Sequence, residues 1–496
     1  MNKSAIIIGG GIGGLFIGAI LSHEGIKVTV IEKNHNIGGG LQSFKRLGKV
    51  FDTGMHVVTG FQPGGAINKL CKYLGVYDKL NLRKLDDNNA YCIYIASDHR
   101  QYDIANGRKS FVDSIEKYFP EERLNLERYI DAIVSIVDEF RLLKLDNDDM
   151  LPLFSNDFSM PADKFISKYV GDTRLQNILS FNNILYAGEK GITPAYLHSV
   201  ISLLNIDGAY RFEGGCVQMA NVLADVILSN GGKIVRGDKV VRLDIEGNRV
   251  INCHTQSGQT YSADYYISTI HPEVTNNLLC NIQVHSRIVT EALEQSHNTT
   301  SAFIVDIDLK KDTVRFRNQL GVYMSDYDKA WSCGENVADK MLFITQPCCN
   351  QGEYASTLRI ISPMTWQHVE RWSSTTPSTR PEEYKQWKIV IAEQMIDCIS
   401  KVIPELRNSI ERYYTSSPLT IRDAYATPEG ALYGIRRTCS SRLYIQRLAS
   451  PKVSNLYFGG QNVFLHGFCG VALTSVATAE TILGKGSIIE KIKLCE

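Results

Sequence analysis

An α/β fold is predicted for this 496-residue chain, and three observations predict it. The first is a strand–glycine turn–helix–strand unit at the start of the sequence. The second is the return of short apolar strands between 233 and 269 and again at 455–458, the last running into a glycine-started helix. The third is what lies between: one long insertion with helical periodicity and another mixing strand runs with a helix. Strands and helices that alternate in this way build a doubly wound sheet.

The opening unit carries the most chemistry. Ile6-Ile7-Ile8 is a strand that runs into Gly-x-Gly-x-x-Gly at Gly9, Gly11 and Gly14. Leu15 to Leu21 reads as a helix, and Val28-Thr29-Val30-Ile31 is a second strand ending on Glu32, about 20 residues beyond the glycines. This spacing is the dinucleotide fingerprint of a Rossmann-type domain. Gly9 permits the tight turn, Gly11 lets the backbone approach a pyrophosphate, and Gly14 lets the helix pack close to the strand. The helix N-terminus, with roughly half a positive charge, favours phosphate. Glu32 suits a ribose diol and repels a 2′-phosphate. The apolar run from Ala5 to Leu21 after Lys3 has the outline of a signal peptide, yet it is punctuated by glycine and has no small-x-small cleavage site. It is also shorter than the roughly 20 apolar residues of a membrane span.

Bulk properties bound the rest. At 496 residues more than one domain is expected. An apolar fraction of 44% with 21% charged residues is that of a globular protein. Zero formal net charge, with no long basic or acidic run, argues against nucleic acid as a partner. Twelve cysteines lie scattered without Cys-x-x-Cys pairs, so no metal site is expected, and reduced, buried thiols in a cytoplasmic protein are.

Along the chain, Gly38-Gly39-Gly40 follows the second strand at the place of a further phosphate- or flavin-contacting turn. Residues 76–210 read as charged and largely helical. Ile133, Val134, Ile136, Val137, Phe140 and Leu143 keep helical spacing, and Thr193-Pro194 predicts a helix start with Thr193 as its cap. Gly214-Gly215 opens a helix over 217–228. Strands are expected at 233–235, 239–243, 250–255, 261–266 and 264–269. In the second insertion 302–309, 341–345 and 358–361 are strands, and 381–403 is a helix. Leu456-Tyr457-Phe458 then leads through Gly459-Gly460-Gln461-Asn462 to a helix from His466-Gly467 onward, a second anchor for the same cofactor.

Taken together, certain motifs resemble the phytoene desaturase superfamily of FAD-dependent oxidoreductases, in its carotenoid isomerase and retinol saturase branch. They are the glycine fingerprint, Gly38 to Ser43, Phe51-Asp52-Thr53-Gly54-Met55-His56, Gly214-Gly215, Ser268 to Pro272, Thr427 to Gly430 with Tyr433-Gly434, and Tyr457 to Asn462 through His466, Gly467 and Gly470. The resemblance spans nearly the whole chain. It implies an FAD-binding domain of the glutathione-reductase-like class from residues 1–75, 211–280 and 416–496. A discontinuous sheet-and-helix substrate domain would comprise 76–210 and 281–415. It implies FAD, with Gly9, Gly11 and Gly14 at the pyrophosphate, Glu32 at the ribose and Val240 at the adenine. Gly460 and Asn462 would meet the ribityl chain, and the helix near Gly470 the flavin pyrimidine. Ile12, Gly13, Lys33, Gly39, Gly40, Leu41, Met55, His56 and Val471 complete the implied cofactor set. Two positions depart from the family pattern: Gly40 stands where Arg or Cys is usual, and Asn462 where Asp is frequent.

The implied activity is hydride transfer at flavin N5 to or from carbon–carbon double bonds of an apolar conjugated polyene, carotenoid- or retinoid-like, as a saturase, desaturase or isomerase. His56, His466 and Tyr433 are the candidate proton handlers, ahead of Glu429 and Arg422; each also fits a structural hydrogen bond. NAD(P)H, a quinone, oxygen or a carrier protein are the candidate redox partners, and no separate nicotinamide fingerprint is visible. A cytoplasmic protein in peripheral contact with a membrane is expected for so apolar a substrate. Two other readings stay open: an amine-oxidase-like flavoenzyme, and a non-catalytic flavin- and lipid-binding protein.

Overall fold

The computed structural model describes residues 3–54, 57–146, 155–280, 282, 284–347, 352–440 and 448–495. Five parallel strands form the nucleotide-binding sheet, in the order Lys233–Arg236, Lys27–Glu32, Ser4–Ile8, Tyr265–Ser268, Leu456–Phe458. These strands come from three separate stretches of sequence. The inner strands are apolar on both sides because each side of the sheet is covered, while Lys233–Arg236 is a half-exposed edge. Ala5, Ile7, Val28, Val30 and Ile267 pack against the helices Ile12–His23, Val217–Ser229 and Gly467–Leu483. Ile6, Ile8, Ile31 and Tyr266 point the other way, onto a three-stranded antiparallel sheet of Val240–Glu246, Arg249–Thr255 and Thr260–Tyr261. The two-residue period of the strands thus sorts neighbouring residues into two cores.

A second, seven-stranded sheet joins the two insertions. Its order is Ile410–Ser416, Ser301–Leu309, Ala355–Met364, Lys340–Pro347, Leu320–Met324, Tyr91–Ile95, Arg100–Ile104. All pairs are antiparallel except Leu320–Met324 with Tyr91–Ile95, and this parallel pair ties the insertions together. The strands Tyr91–Ile95 and Arg100–Ile104 fall in the stretch expected to be largely helical. Tyr91 to Ile95 is buried throughout, so no alternation marks it as a strand. Phe303, Val305, Ile307, Leu358 and Ile360 pack on Ala392, Met395, Ile396 and Ile399 of the helix Glu382–Ser400. The other face, carrying Ala302, Ile304, Leu342, Ile344 and Ile361, turns toward the nucleotide-binding sheet and lines a cavity.

The helical insertion differs from expectation in detail. Its long helix runs Arg123–Asp138 and gives way to a 3₁₀ turn at Arg141–Lys144. The later helix is Ala195–Asp207, capped at Pro194, and the Thr193 hydroxyl instead accepts a hydrogen bond from the Glu189 amide at 2.8 Å. At the centre of this bundle the buried His198 bonds Tyr129 and Tyr186 at 2.7 and 2.9 Å. Among the described residues ten cysteines are free, no cluster of metal ligands exists, and no helix is long and apolar enough to cross a membrane.

Burial pushes three histidines down: His198 to about 3, His285 to about 4 and His466 to about 3. Unfolded, each titrates near 6.5, so below that pH the unfolded chain binds more protons than the folded one. Stability is full above pH 6.5 and falls as the medium is acidified. Each ring should cost about 2 kcal/mol between pH 7 and pH 5. Denaturant unfolding at the two pH values measures it, and equal stabilities would show that these rings are hydrated in the folded state.

Candidate functional site

The cavity between the sheets has a volume of ≈ 350 Å³. One end is the opening glycine turn. Gly9 has φ +104°, and a side chain there would meet Ile270 and Thr269 at 2.9 Å. A Cβ on Gly14 would stand 2.0 Å from the Gly9 carbonyl oxygen, so this glycine sets the helix against its strand. Gly11 and Gly40 are different: a Cβ at either would meet nothing within 4 Å, and both line the cavity. Gly11 is also the N-cap of Ile12–His23 and caps it with no side chain, which leaves the first-turn N–H groups for a ligand. The helix Gly467–Leu483 is likewise uncapped by the side chain of His466, and its Gly467, Phe468 and Val471 line the same cavity. The two helices pack directly on each other. The Ser475 hydroxyl donates to the Gly13 carbonyl at 3.2 Å, and Gly13 faces Gly460 so closely that a Cβ would stand 3.1 Å from the Gly460 Cα.

Glu32 lies at the strand end on the cavity wall, and part of its capacity is committed to the backbone. One carboxylate oxygen accepts from the Gly10 amide at 2.7 Å, the other from the Asn34 amide at 2.9 Å. A carboxylate has about four acceptor lobes, so acceptors remain for a ribose diol. Lys33 lines the wall beside it and donates to the Asp423 and Ala424 carbonyls at 3.1 and 3.0 Å; burial lowers its pKa. At the far hinge the Asn462 side-chain oxygen accepts from the Ile435 amide at 2.9 Å. Arg437 donates to the Asn462 carbonyl at 3.0 Å. Asn462 therefore pins the loop that carries Tyr433 and Gly434 while it lines the cavity.

Of the residues expected at the cofactor, Gly9, Gly11, Ile12, Gly13, Glu32, Lys33, Gly39, Gly40, Leu41, Val240, Gly460, Asn462 and Val471 line this one cavity. Gly14 and Gly470 do not. Both are packing glycines; a Cβ on Gly470 would stand 2.6 Å from the Leu465 Cβ. Met55 and His56 lie outside the described residues. The remaining proton candidates separate. Tyr433 lines the cavity, and its hydroxyl has no hydrogen-bond partner among the described residues. His466 packs behind it, its ring tilted by 39° with centroids 5.2 Å apart, buried and off the wall, and both of its ring nitrogens lack a partner. Arg422 is held by Asp423 and the Ser373 carbonyl, away from the cavity lining.

Several lining residues stand outside the expected cofactor and proton set, among them His271 and Arg359. His271 closes the cavity beside Ile270, its ring between Asn298 at 3.1 Å and the Glu273 amide at 3.3 Å. Arg359 enters from the seven-stranded sheet, where it pairs with the directly opposite Asp306 at 2.5 Å. Burial raises the Asp306 pKa against the pull of that guanidinium. A single arginine in an apolar strand carries no sequence signal of facing a cavity; only the cross-strand register reveals it.

The cradle at Gly11 and Gly40, two open helix N-termini and the acid at Glu32 fit a dinucleotide cofactor with an anionic diphosphate. The profile of the family described as flavin containing amine oxidoreductase matches residues 12–315. The chain belongs to that family. Its cofactor is a flavin, and the protein is an oxidoreductase. The sequence relatives lie in the branch to which the motifs pointed. All-trans-retinol 13,14-reductase of Danio rerio is 23% identical, over 100% of this chain and 88% of the relative. The human protein of that name is 24% identical, over 96% and 85%. Prolycopene isomerase 1, chloroplastic, of an Oncidium hybrid cultivar is 22% identical, over 98% and 85%. Among solved structures, an oxidoreductase from Methanosarcina mazei superposes with a TM-score of 0.64 at 16% identity, covering 96% of this chain and 100% of that one. Putrescine oxidase bound to putrescine superposes with a TM-score of 0.66 at 12% identity, over 97% and 99%. These structures share the fold.

The two kinds of glycine separate cofactor binding from folding. Gly11 has φ −68°, open to any residue, so Gly11→Val should fold with an unchanged Tm and purify without flavin absorbance. Gly14→Ala should instead lose about 1–3 kcal/mol of stability or fail to fold. A yellow Gly11→Val protein would remove the cradle from the cofactor site.

Proposed function

We propose that this oxidoreductase uses FAD to act on carbon–carbon double bonds of an apolar, conjugated polyene lipid. One observation carries the reading. Beyond the nucleotide end, the cavity wall is mainly apolar, with Ile184, Leu185, Leu320, Leu342, Ile344, Ile361 and Leu432 interrupted by Arg359 and Tyr433, and Glu32 is the only carboxylate among the described lining residues. A wall of this kind strips water from an extended hydrocarbon at about 25 cal/mol per Å² buried. It offers no anion to an ammonium substrate, which weighs against the amine-oxidase reading. The names of the retinol- and prolycopene-acting relatives point the same way.

When bound, FAD supplies the hydride acceptor or donor at its isoalloxazine ring. The residues proposed to hold it are Gly11, Gly13, Gly39, Gly40 and Val471 at the two helix starts, with Glu32 and Val240 toward the adenosine and Gly460 and Asn462 at the hinge. Tyr433 is the residue proposed to exchange a proton with substrate, because it lines the cavity and its hydroxyl lacks a partner among the described residues. Burial raises its pKa, so it stays protonated and acts as a donor. His466, held neutral by burial and by the adjacent Arg437, positions the Tyr433 ring.

The test is anaerobic. The flavoprotein is reduced with dithionite, or with NAD(P)H as the proposed external donor, and offered polyenes and amines while flavin absorbance and product mass are followed. A polyene product two mass units heavier indicates saturation, an unchanged mass with altered retention isomerisation, and a lighter product from oxidised protein desaturation. Turnover of an amine with every polyene inert would refute the proposal. Tyr433→Phe should lower kcat roughly 10²-fold and leave the flavin spectrum intact; an unchanged rate would make Tyr433 a wall residue.

A further inference from the structure

The strands Ser43–Arg46 and Lys49–Asp52 form a two-stranded hairpin of their own, joined by Leu47-Gly48. Both turn residues have positive φ, +47° at Leu47 and +84° at Gly48. A two-residue turn of this kind favours Asn-Gly, since an L side chain other than Asn or Asp is strained there. Here the first position holds leucine, and that leucine is 75% exposed. Two unfavourable choices coincide at one residue: backbone strain, and an apolar side chain in water. Backbone strain at a non-glycine turn residue calls for an explanation, and such outliers persist where a contact requires them.

The surroundings define the contact. Lys45 and Arg46 are exposed beside the tip, Val50 is 37% exposed, and no acidic residue occurs from Ser43 to Phe51. Lys49 is partly engaged by Asp308 at 3.5 Å. At the base, Phe44 stacks on Phe51 at 5.3 Å and Phe51 meets the Tyr414 ring edge at 5.7 Å, so the tip projects from a braced stem. An apolar point ringed by cations matches a bilayer surface with anionic headgroups, where leucine enters the acyl boundary and each basic side chain meets a negative potential. The same strand continues through Asp52 into Thr53 and Gly54, which line the cavity.

We propose that the hairpin tip at 45–50 docks the protein on an anionic lipid bilayer, with Leu47 inserted and Lys45 and Arg46 against the headgroups. The proposal rests on the hairpin alone, independently of the chemistry proposed above. Flotation of the FAD-loaded full chain with vesicles of phosphatidylcholine, alone or mixed with phosphatidylglycerol, tests it. Wild type should float with the mixed vesicles and be released by salt. Leu47→Asn, which suits the turn and should keep the Tm, should bind roughly tenfold more weakly. Lys45→Glu with Arg46→Glu should abolish the preference for phosphatidylglycerol. The tryptophan emission of Leu47→Trp should shift to the blue on vesicles. Wild type that stays in solution with both vesicles, Leu47→Asn that floats as well as wild type, or an unshifted Leu47→Trp spectrum would each overturn the proposal.

Discussion

The contact between two helix starts governs this molecule. Gly13 of the first helix and Gly460 of the last hinge come so close that a single methyl group would crowd them. That approach brings the first and last segments of the chain to one cavity and leaves two uncapped helix ends facing it. The N–H groups at such ends are unsatisfied by the helix itself, which is what makes a helix start suited to an anion. The glycines around it divide the work. Gly14 allows backbone to meet backbone and Gly9 lets the turn pass against the Thr269 and Ile270 side chains, whereas Gly11 and Gly40 leave open space on the cavity wall.

Across the cavity, the seven-stranded sheet works through alternation. One face packs into an ordinary core against the helix Glu382–Ser400, and the other is the apolar wall of the site. The parallel pairing of Leu320–Met324 with Tyr91–Ile95 makes two distant stretches of sequence into one wall. The Asp306–Arg359 pair interrupts that wall. A buried ion pair adds little net stability, yet breaking it by removing one partner typically costs about 3–5 kcal/mol. On this face the pair stands among the apolar residues Ala302, Ile304 and Ile361 and brings one arginine to the cavity lining.

The buried polar groups follow a common logic. His198, His285 and His466 are neutral because burial penalises their charged forms. His198 is satisfied by two tyrosine hydroxyls, but both nitrogens of His466 are orphaned beside Arg437 and behind Tyr433. Unsatisfied polar atoms in a native interior call for an explanation. Their position directly behind the one cavity-facing tyrosine on this loop makes a positioning role the simplest.

The sequence by itself determined the nucleotide-binding unit. Its strand, glycine turn, helix, second strand and terminal acid are local, and each constraint acts within about 30 residues. The glycine motifs at 38–43 and 457–471 were legible for the same reason, because glycine is demanded wherever backbone comes close, whereas 268–272 stood out only through the family resemblance. Tertiary structure decided what local pattern could not hold. Fully buried strands such as Tyr91–Ile95 lose the alternation that would reveal them, since both of their faces are covered. Arg359 reaches the site only through cross-strand register in the seven-stranded sheet. The sequence ranked His466 ahead of Tyr433 as a proton handler, and packing set Tyr433 on the wall and His466 behind it.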